Sequence, residues 1–184
     1  MVHKYTFYFI NKLQKSLLNN LDKNIHIIYR NYEKKYTINE IIEAKKICKR
    51  TNRKFFLANN LKLALKLNLD GVYIPSYNKQ LLLKPFVNKS FFVLGSAHNL
   101  KEINEKRKQN IDLLFISPIF KIKKRKNFLG PVRYNILSNH FKNKTIALGG
   151  IDKNNVNSIK KINCCGFASI SYIEKYKING KRNN

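Results

Sequence analysis

Two adjacent glycines, Gly149 and Gly150, directly follow the apolar run Thr145–Leu148. Glycine has no side chain to cover its backbone N–H group, so a glycine pair at the end of a strand can present amide donors to an anion. Parallel α/β barrels cradle phosphate groups at strand ends of this kind. The next apolar run also ends in small residues, Ser169 and Ser171. These residues together indicate a phosphate-binding site.

The elements that would position this site alternate between strands and helices along the whole chain. Apolar runs with strand character are followed by segments with helical periodicity, which is typical of parallel β-α-β units. The predicted strands are Tyr5–Ile10, Ile25–Arg30, Lys54–Leu57, Gly71–Ile74, Phe91–Gly95, Asp112–Ser117, Thr145–Leu148 and Phe167–Ile170. The predicted helices are Leu13–Leu21, Ile38–Cys48, Leu61–Leu67, Leu100–Arg107, Val132–Phe141 and Val156–Ile162, with at most one short helix in the less regular stretch Ser76–Val87.

This alternation predicts an α/β fold, a compact (β/α)8 TIM barrel that forms one domain over residues 1–173. The chain has 184 residues, fewer than the roughly 200–250 that this barrel usually needs. The last segment, 174–184, is highly polar, so we expect the eighth helix to be short or missing and the segment to be a frayed C-terminal tail. A doubly wound open sheet is the structural alternative.

The chain is strongly basic, with 37 Lys and Arg residues against 10 Asp and Glu residues and a formal net charge of +27. Such a charge attracts polyanions and phosphorylated small molecules. The lysines are spread through nearly every segment, however, and no motif of a recognised nucleic-acid-binding module is present, so nucleic acid is not the expected partner. The densest cluster, Lys121–Lys126, is either an anion-binding loop or a solvated mobile loop.

Cysteine usage and hydropathy indicate the compartment. Cys48, Cys164 and Cys165 form neither a C-x-x-C motif nor a zinc-site spacing, so we expect reduced thiols in a cytoplasmic protein. No apolar run approaches the ~18 residues of a membrane-spanning helix, and no membrane partner is expected. Assembly into a homo-oligomer is left open.

Polar and cationic side chains gather at the predicted carboxyl ends of the strands, where barrels of this class place their chemistry. Among them are Arg30, Asn59, Ser96, His98 and Ser117. Carboxylates are nearly absent from these positions. The mouth of the predicted barrel is therefore suited to an anion.

Several stretches resemble, in order and spacing, the motifs of the thiamine phosphate synthase and thiazole tautomerase superfamily. They are Phe56–Leu65 with Asp70–Pro75, Gly95–Asn99, Ile116–Phe120, Leu129–Arg133 and Ala147–Ile151. Gly-Gly-Ile alone occurs in many phosphate-binding barrels, but the ordered set covers nearly the whole chain. By this resemblance the chain is identified as a member of that superfamily.

The resemblance implies a transferase of thiamine biosynthesis that joins a pyrimidine methyl pyrophosphate to a thiazole phosphate. These two phosphorylated precursors are the partners that it implies for the protein. It implies that the backbone at Gly149, Gly150, Ser169 and Ser171 holds the thiazole phosphate, and that Arg30, Ser96 and Lys123 or Lys124 hold the pyrophosphate. Asn59 is a further candidate substrate-binding residue. Arg30 and His98 are the candidate catalytic residues. His98 is the one histidine expected at the mouth of the barrel, and its side chain is suited to proton transfer.

The resemblance also implies Mg²⁺ as a cofactor. The positions expected to carry its carboxylate ligands hold Asn59 and Asn78 instead, and a neutral amide is a poor substitute for a carboxylate around a hard dication. Of the superfamily's pattern on the second strand, only Arg30 is kept. We therefore assign no residue as a metal ligand and place Asn59 and Asn78 near the expected magnesium positions.

Three other functions fit the same resemblance: an isomerase, a hydrolase that clears a related phosphorylated compound, and a non-catalytic paralogue. The tautomerase branch uses a histidine near the end of the sixth strand, where this chain has Pro118, so an isomerase would need His98 as its proton shuttle. His98 could instead only orient its loop by hydrogen bonding to backbone. A non-catalytic paralogue would keep the barrel and the phosphate cradle and bind a phosphorylated thiamine precursor without turnover.

Overall fold

Eight parallel strands form a closed barrel. In the computed structural model, which describes residues 5–33, 36–81, 90–123 and 127–178, the strands are β1 (Tyr5–Ile10), β2 (Ile25–Tyr29), β3 (Phe55–Ala58), β4 (Gly71–Ile74), β5 (Phe92–Ala97), β6 (Leu113–Ile116), β7 (Lys144–Leu148) and β8 (Gly166–Ala168). Each strand pairs with its sequence neighbours, and β8 also pairs with β1. The predicted (β/α)8 barrel is confirmed, and the doubly wound open sheet is wrong.

Helices connect the strands around the outside. They are α1 (Lys15–Asn20), α2 (Ile38–Arg50), α3 (Leu61–Lys66), α4 (Leu100–Lys108), α5 (Gly130–Asn139) and α6 (Ser171–Tyr176). The side chains of Thr37, Asn60 and Asn99 accept hydrogen bonds from backbone N–H groups in the first turns of α2, α3 and α4. The caps favour the start of each helix, because they satisfy donors that have no partner inside the helix. Those at Asn60 and Asn99 start α3 and α4 just beyond the ends of β3 and β5. None of the described helices has the length and apolar character that a membrane crossing needs.

Two predicted helices differ from the structure. The segment between β7 and β8 is a short 3-10 helix, Val156–Lys161, in which only Ile159 is buried. Because helices gain most of their stability from packing an apolar face, so little burial does not support a longer α-helix. Residues 75–81 form turns and no helix, and the remainder of the stretch Ser76–Val87 from residue 82 onward lies outside the described residues.

The helix after β8 is short, as predicted, but the fold extends beyond residue 173. Glu174 on α6 accepts a hydrogen bond from the Tyr8 hydroxyl at 2.7 Å. Further on, Ile178 forms an antiparallel bridge with Leu21. Glu174 and Ile178 therefore attach this segment to the barrel, which composition alone did not indicate. Residues 179–184 lie outside the described residues.

Aromatic side chains fill the inside of the barrel. Phe9, Tyr73 and Phe115 pack edge to face, with ring centroids 5.3 Å apart for Phe9 and Tyr73, 5.5 Å for Tyr73 and Phe115, and 6.0 Å for Phe9 and Phe115. This geometry is the favoured one for aromatic pairs. The three rings come from β1, β4 and β6, and together they form the floor beneath the carboxyl-terminal mouth.

Candidate functional site

The glycine pair forms a tight turn at the carboxyl end of β7. Both residues have positive φ angles, 93° at Gly149 and 72° at Gly150. A Cβ atom at Gly150 would lie 2.5 Å from the carbonyl oxygen of Phe120 and 2.6 Å from that of Lys121, so the site requires glycine. No described residue accepts a hydrogen bond from the N–H of either glycine. The turn thus presents amide donors that an anion can use.

Ser169 connects the ends of β7 and β8. Its Oγ donates a hydrogen bond to the carbonyl oxygen of Ile151 at 3.0 Å, and its backbone N–H donates to that of Phe7 at 3.3 Å. The two strand ends therefore lie close together, as the cradle requires. Both donors of Ser169 are thus used within the protein, and the first of them connects β8 to the loop after β7. Ser171 lies exposed at the start of α6.

The lysine-rich loop after β6 begins beside the glycine turn. The N–H of Phe120 donates to the carbonyl oxygen of Gly149 at 3.1 Å, and the N–H of Ile119 donates to that of Leu148 at 2.9 Å. Lys123 is exposed in this loop. Lys124 lies outside the described residues. The loop therefore leaves the barrel at the mouth.

Arg30 lies just beyond β2, with its guanidinium carbon 4.2 Å from the centre of the Phe9 ring. A cation above an aromatic face is attracted by the ring, so this contact orients the guanidinium group. Burial raises the pKa of the Tyr73 hydroxyl, whereas the charge of Arg30 and a hydrogen bond with Ser96 act in the opposite direction. Arg30, Tyr73 and the buried Ser96 therefore meet on the floor of the mouth.

His98 follows β5 and reaches across to the end of β6. Its Nδ1 lies 2.8 Å from the carbonyl oxygen of Ser117 and 3.0 Å from Ser117 Oγ. A carbonyl oxygen can only accept, so Nδ1 donates, and the neutral ring keeps its lone pair on Nε2. His98, Pro118 and Arg133 line a cavity of about 440 Å³. The hydrogen bond from His98 to backbone is thus present, and in the neutral ring it leaves Nε2 as the nitrogen without a proton.

Asn59 and Asn78 lie side by side on the loops after β3 and β4. Asn59 Oδ1 accepts a hydrogen bond from Asn78 Nδ2 at 2.7 Å, and Asn78 Oδ1 accepts one from the N–H of Gln80 at 2.8 Å. Asn59 has a positive φ angle of 57°, a conformation that asparagine tolerates well. Arg30 and Asn59 line the same cavity of about 230 Å³.

The family of the chain is decided by comparison with known proteins. Residues 8–173 match the family model described as thiamine monophosphate synthase. The chain belongs to this family. The match extends over nearly the whole barrel and includes all eight strands apart from the first three residues of β1.

Relatives in the thiamine monophosphate synthase family are distant. The thiamine-phosphate synthase of Prochlorococcus marinus subsp. pastoris is 28% identical over 170 residues, which are 87% of this chain and 48% of that protein. That of Lactococcus lactis is 23% identical over 157 residues, 82% of this chain and 72% of that protein. The chain spans less than half the length of the Prochlorococcus relatives that it matches.

Solved structures support the fold. The thiamine phosphate pyrophosphorylase from Pyrococcus furiosus superimposes with a TM-score of 0.70 at 20% identity, covering 92% of this chain and 86% of that one. The thiamine phosphate pyrophosphorylase from Bacteroides thetaiotaomicron gives a TM-score of 0.58 at 18% identity, covering 98% and 89%. At this level of identity the likeness concerns the barrel alone.

The residues present do not fit the magnesium site that the family resemblance implies. Asn59 and Asn78 are neutral, and the amide oxygen of each already accepts a hydrogen bond. Among the described residues, no group of three or more His, Cys, Asp or Glu side chains could hold a metal ion. A hard dication prefers charged oxygen ligands. The described residues at the mouth of the barrel therefore include no cluster of carboxylates that could bind Mg²⁺.

A buried lysine, which the sequence did not reveal, holds the loop that carries Asn78. Lys106 on α4 donates through Nζ to the carbonyl oxygens of Pro75 and Asn78, both at 2.7 Å, and to Gln109 Oε1 at 2.8 Å. Burial lowers its pKa to about 8, and two nearby glutamates act in the opposite direction. The available signal was its position three residues after Ile103, on the buried face of the helix. In so lysine-rich a chain, that signal is easily overlooked.

Proposed function

We propose that this chain is a thiamine phosphate synthase-type transferase that joins a pyrimidine methyl pyrophosphate to a thiazole phosphate. The family of the chain supports this assignment. The observation that carries it is the pair of amide donors at Gly149 and Gly150, separated from Arg30 around the mouth only by β8 and β1. Two anion-binding positions on one mouth suit a reaction in which both substrates are phosphorylated.

The chemistry needs stabilisation of a leaving group. The bond between the pyrimidine methylene carbon and the pyrophosphate oxygen breaks, with the electron pair leaving on pyrophosphate, and the thiazole nitrogen forms the new bond to that carbon. Fixed positive charge placed where negative charge develops lowers the barrier to such a step. Arg30, held over Phe9, is the described cation best placed for this role. The amides of Gly149 and Gly150 would orient the acceptor through its phosphate.

The proposal includes the setting of the reaction. We place it in the cytoplasm, with the two phosphorylated precursors as partners and without nucleic acid. The high net charge then serves to attract phosphorylated substrates to the mouth, since long-range fields raise the local concentration of oppositely charged ligands. Assembly into a homo-oligomer is not required by this arrangement.

Product formation tests the proposal directly. Incubation with both phosphorylated precursors should give thiamine phosphate, detected by chromatography, and Arg30→Ala should lower kcat/KM at least about tenfold, because one charged contact to the transition state is lost. Arg107→Ala, which removes an exposed arginine on α4, is the matched control and should leave the rate unchanged. Failure of the wild-type chain to form product in the presence or absence of divalent cations would contradict the proposal. Inorganic phosphate binding without product would instead favour the non-catalytic paralogue.

One observation supports a second candidate, a thiazole tautomerase-type isomerase. That branch uses a histidine near the end of the sixth strand, where this chain has Pro118. The His98 imidazole occupies this region through its hydrogen bond to the Ser117 carbonyl oxygen. Its Nε2 could then move a proton on a bound thiazole, which is the step that an isomerase requires.

A further inference from the structure

The cavity at the ends of β2, β3 and β4 is lined by the positively charged side chain of Arg30, and its described lining includes no acidic side chain. Arg30, Asn59, Tyr36 and Tyr77 are among its lining residues, and no Asp or Glu is found among the described residues that line it. Phosphate oxygens entering this cavity would meet a guanidinium group and neutral donors. Such a lining complements an anion directly, because an arginine can pair with two phosphate oxygens at once.

The amide pair at the edge of this cavity is already engaged. Asn59 Oδ1 accepts from Asn78, and Asn78 Oδ1 accepts from Gln80 N–H. The backbone carbonyl oxygen of Asn78 also accepts hydrogen bonds from Lys106 and Gln109, which fix the loop in place. A dication at these oxygens would compete with hydrogen bonds that the fold uses, and the oxygens would offer the ion no negative charge.

Two carboxylates on the elements around the mouth are used in structural hydrogen bonds. Glu40 accepts from the Tyr29 hydroxyl and from Leu13 N–H, both at 2.7 Å. Glu102 accepts from His98 N–H at 2.7 Å. Glu40 thereby connects α2 to the end of β2 and to the loop after β1, and Glu102 satisfies a donor in the loop before α4. Supplying metal ligands from them would therefore need rearrangement of the loops themselves.

We infer that this chain binds the diphosphate group without a divalent cation, with the positive charge supplied by Arg30 and by the exposed Lys121 and Lys123 of the loop after β6, on the opposite side of the mouth. The inference rests on the proposed function for the identity of the ligand. It goes beyond that function by assigning the neutralising charge to the protein. Restoring the two carboxylates should accordingly convert the site into one that needs a metal ion.

Calorimetric titration with inorganic pyrophosphate tests the inference in two buffers, one with EDTA and one with excess Mg²⁺. The wild-type chain should bind pyrophosphate in EDTA at least as tightly as in Mg²⁺, because the ion competes for the same oxygens. Arg30→Gln should weaken binding about tenfold or more in both buffers, since a charge-assisted contact is lost. Tenfold or greater tightening of wild-type binding by Mg²⁺ would overturn the inference.

The double variant Asn59→Asp/Asn78→Asp provides the converse test. It should lose affinity in EDTA, because two carboxylates repel the ligand, and should regain affinity when Mg²⁺ is added. Asn20→Asp/Asn104→Asp carries the same added charge on exposed positions of α1 and α4 and should behave like the wild-type chain. Equal loss in both double variants would show a general charge effect and overturn the assignment to this cavity.

The outcomes separate this inference from the proposed function. Metal-free pyrophosphate binding without formation of thiamine phosphate would keep the inference and reject the transferase. Product formation that depends strictly on Mg²⁺, together with Mg²⁺-dependent pyrophosphate binding, would keep the transferase and reject the inference. Absence of pyrophosphate binding in both buffers would reject both.

Discussion

The imidazole of His98 donates a hydrogen bond through Nδ1 to the carbonyl oxygen of Ser117, 2.8 Å away. A side chain from the end of β5 is thereby held beside the end of β6. His98 and Pro118, the residue after Ser117, line the same cavity. The contact bears on the second proposed function, because an isomerase would need a histidine that can exchange a proton with a bound thiazole.

Replacement of His98 tests its role in proton transfer. His98→Ala should lower any thiazole rearrangement at least about 100-fold, as expected for the loss of a general base. The substrate and product are distinguished by nuclear magnetic resonance. His140→Ala, at an exposed position after α5, serves as the control. Rearrangement at the wild-type rate in His98→Ala would show that His98 only orients its loop.

Gly150 is sterically required, and its replacement should affect both stability and phosphate binding. Gly150→Ala places a Cβ atom 2.5 Å from a backbone carbonyl oxygen while φ is 72°. We expect a loss of roughly 2–4 kcal/mol in the free energy of unfolding, from strain plus the clash, and loss of inorganic phosphate binding. Urea unfolding and calorimetry measure the two effects.

The matched control for this change is Gly130→Ala. Gly130 also has a positive φ, 66°, but no described atom beyond its chain neighbours and its own helix backbone lies within 4 Å of the added Cβ. Gly130→Ala should lower the free energy of unfolding by only about 1 kcal/mol, because the left-handed backbone conformation is its only unfavourable contribution. Equal destabilisation by the two substitutions would contradict the steric argument at Gly150.

Lys106 should stabilise the loop after β4 through its three acceptors. Lys106→Met keeps the apolar stem but leaves the carbonyl oxygens of Pro75 and Asn78 with fewer donors, which should cost about 2–4 kcal/mol in urea unfolding. Lys108→Met is the control on the same helix, because its only described ion pair is an exposed one with Glu105 at 3.6 Å. A loss no larger than in Lys108→Met would show that Lys106 does not hold the loop.

His26 should make the protein less stable in mild acid. Burial lowers the pKa of His26 to about 4 from an ordinary value of 6.5, and the charge of Lys54 adds to this effect. Between these two values the unfolded state binds more protons than the folded state, so stability falls as pH falls from about 6.5 to about 4, by up to about 3 kcal/mol.

Unfolding of His26→Gln across this pH range provides the measurement. The variant removes the titrating group, and its stability should change less between pH 6.5 and 4 than that of the wild-type chain. His140→Gln, at an exposed site, should keep the wild-type dependence. Parallel curves for His26→Gln and the wild-type chain would contradict the assignment.

The sequence by itself determined the order of elements and the class of the barrel. Alternating apolar runs and amphipathic segments identify parallel strands and helices locally, because each pattern reflects burial of one element's own face. The same local reading located the Gly149–Gly150 turn at a strand end. Strand limits in the structure differ from the predicted ones by only a residue or two, as at Phe55 and Leu113.

Only the tertiary structure decided which polar side chains meet. Closure of the barrel brings Arg30 to Tyr73, His98 to Ser117 and Asn59 to Asn78. Donors that look free in the sequence, such as those of Ser169, are used within the fold, and a lysine that looks exposed, Lys106, is buried. Such contacts depend on loops whose positions are set by packing against elements that are distant in the sequence. Local sequence patterns do not predict that packing.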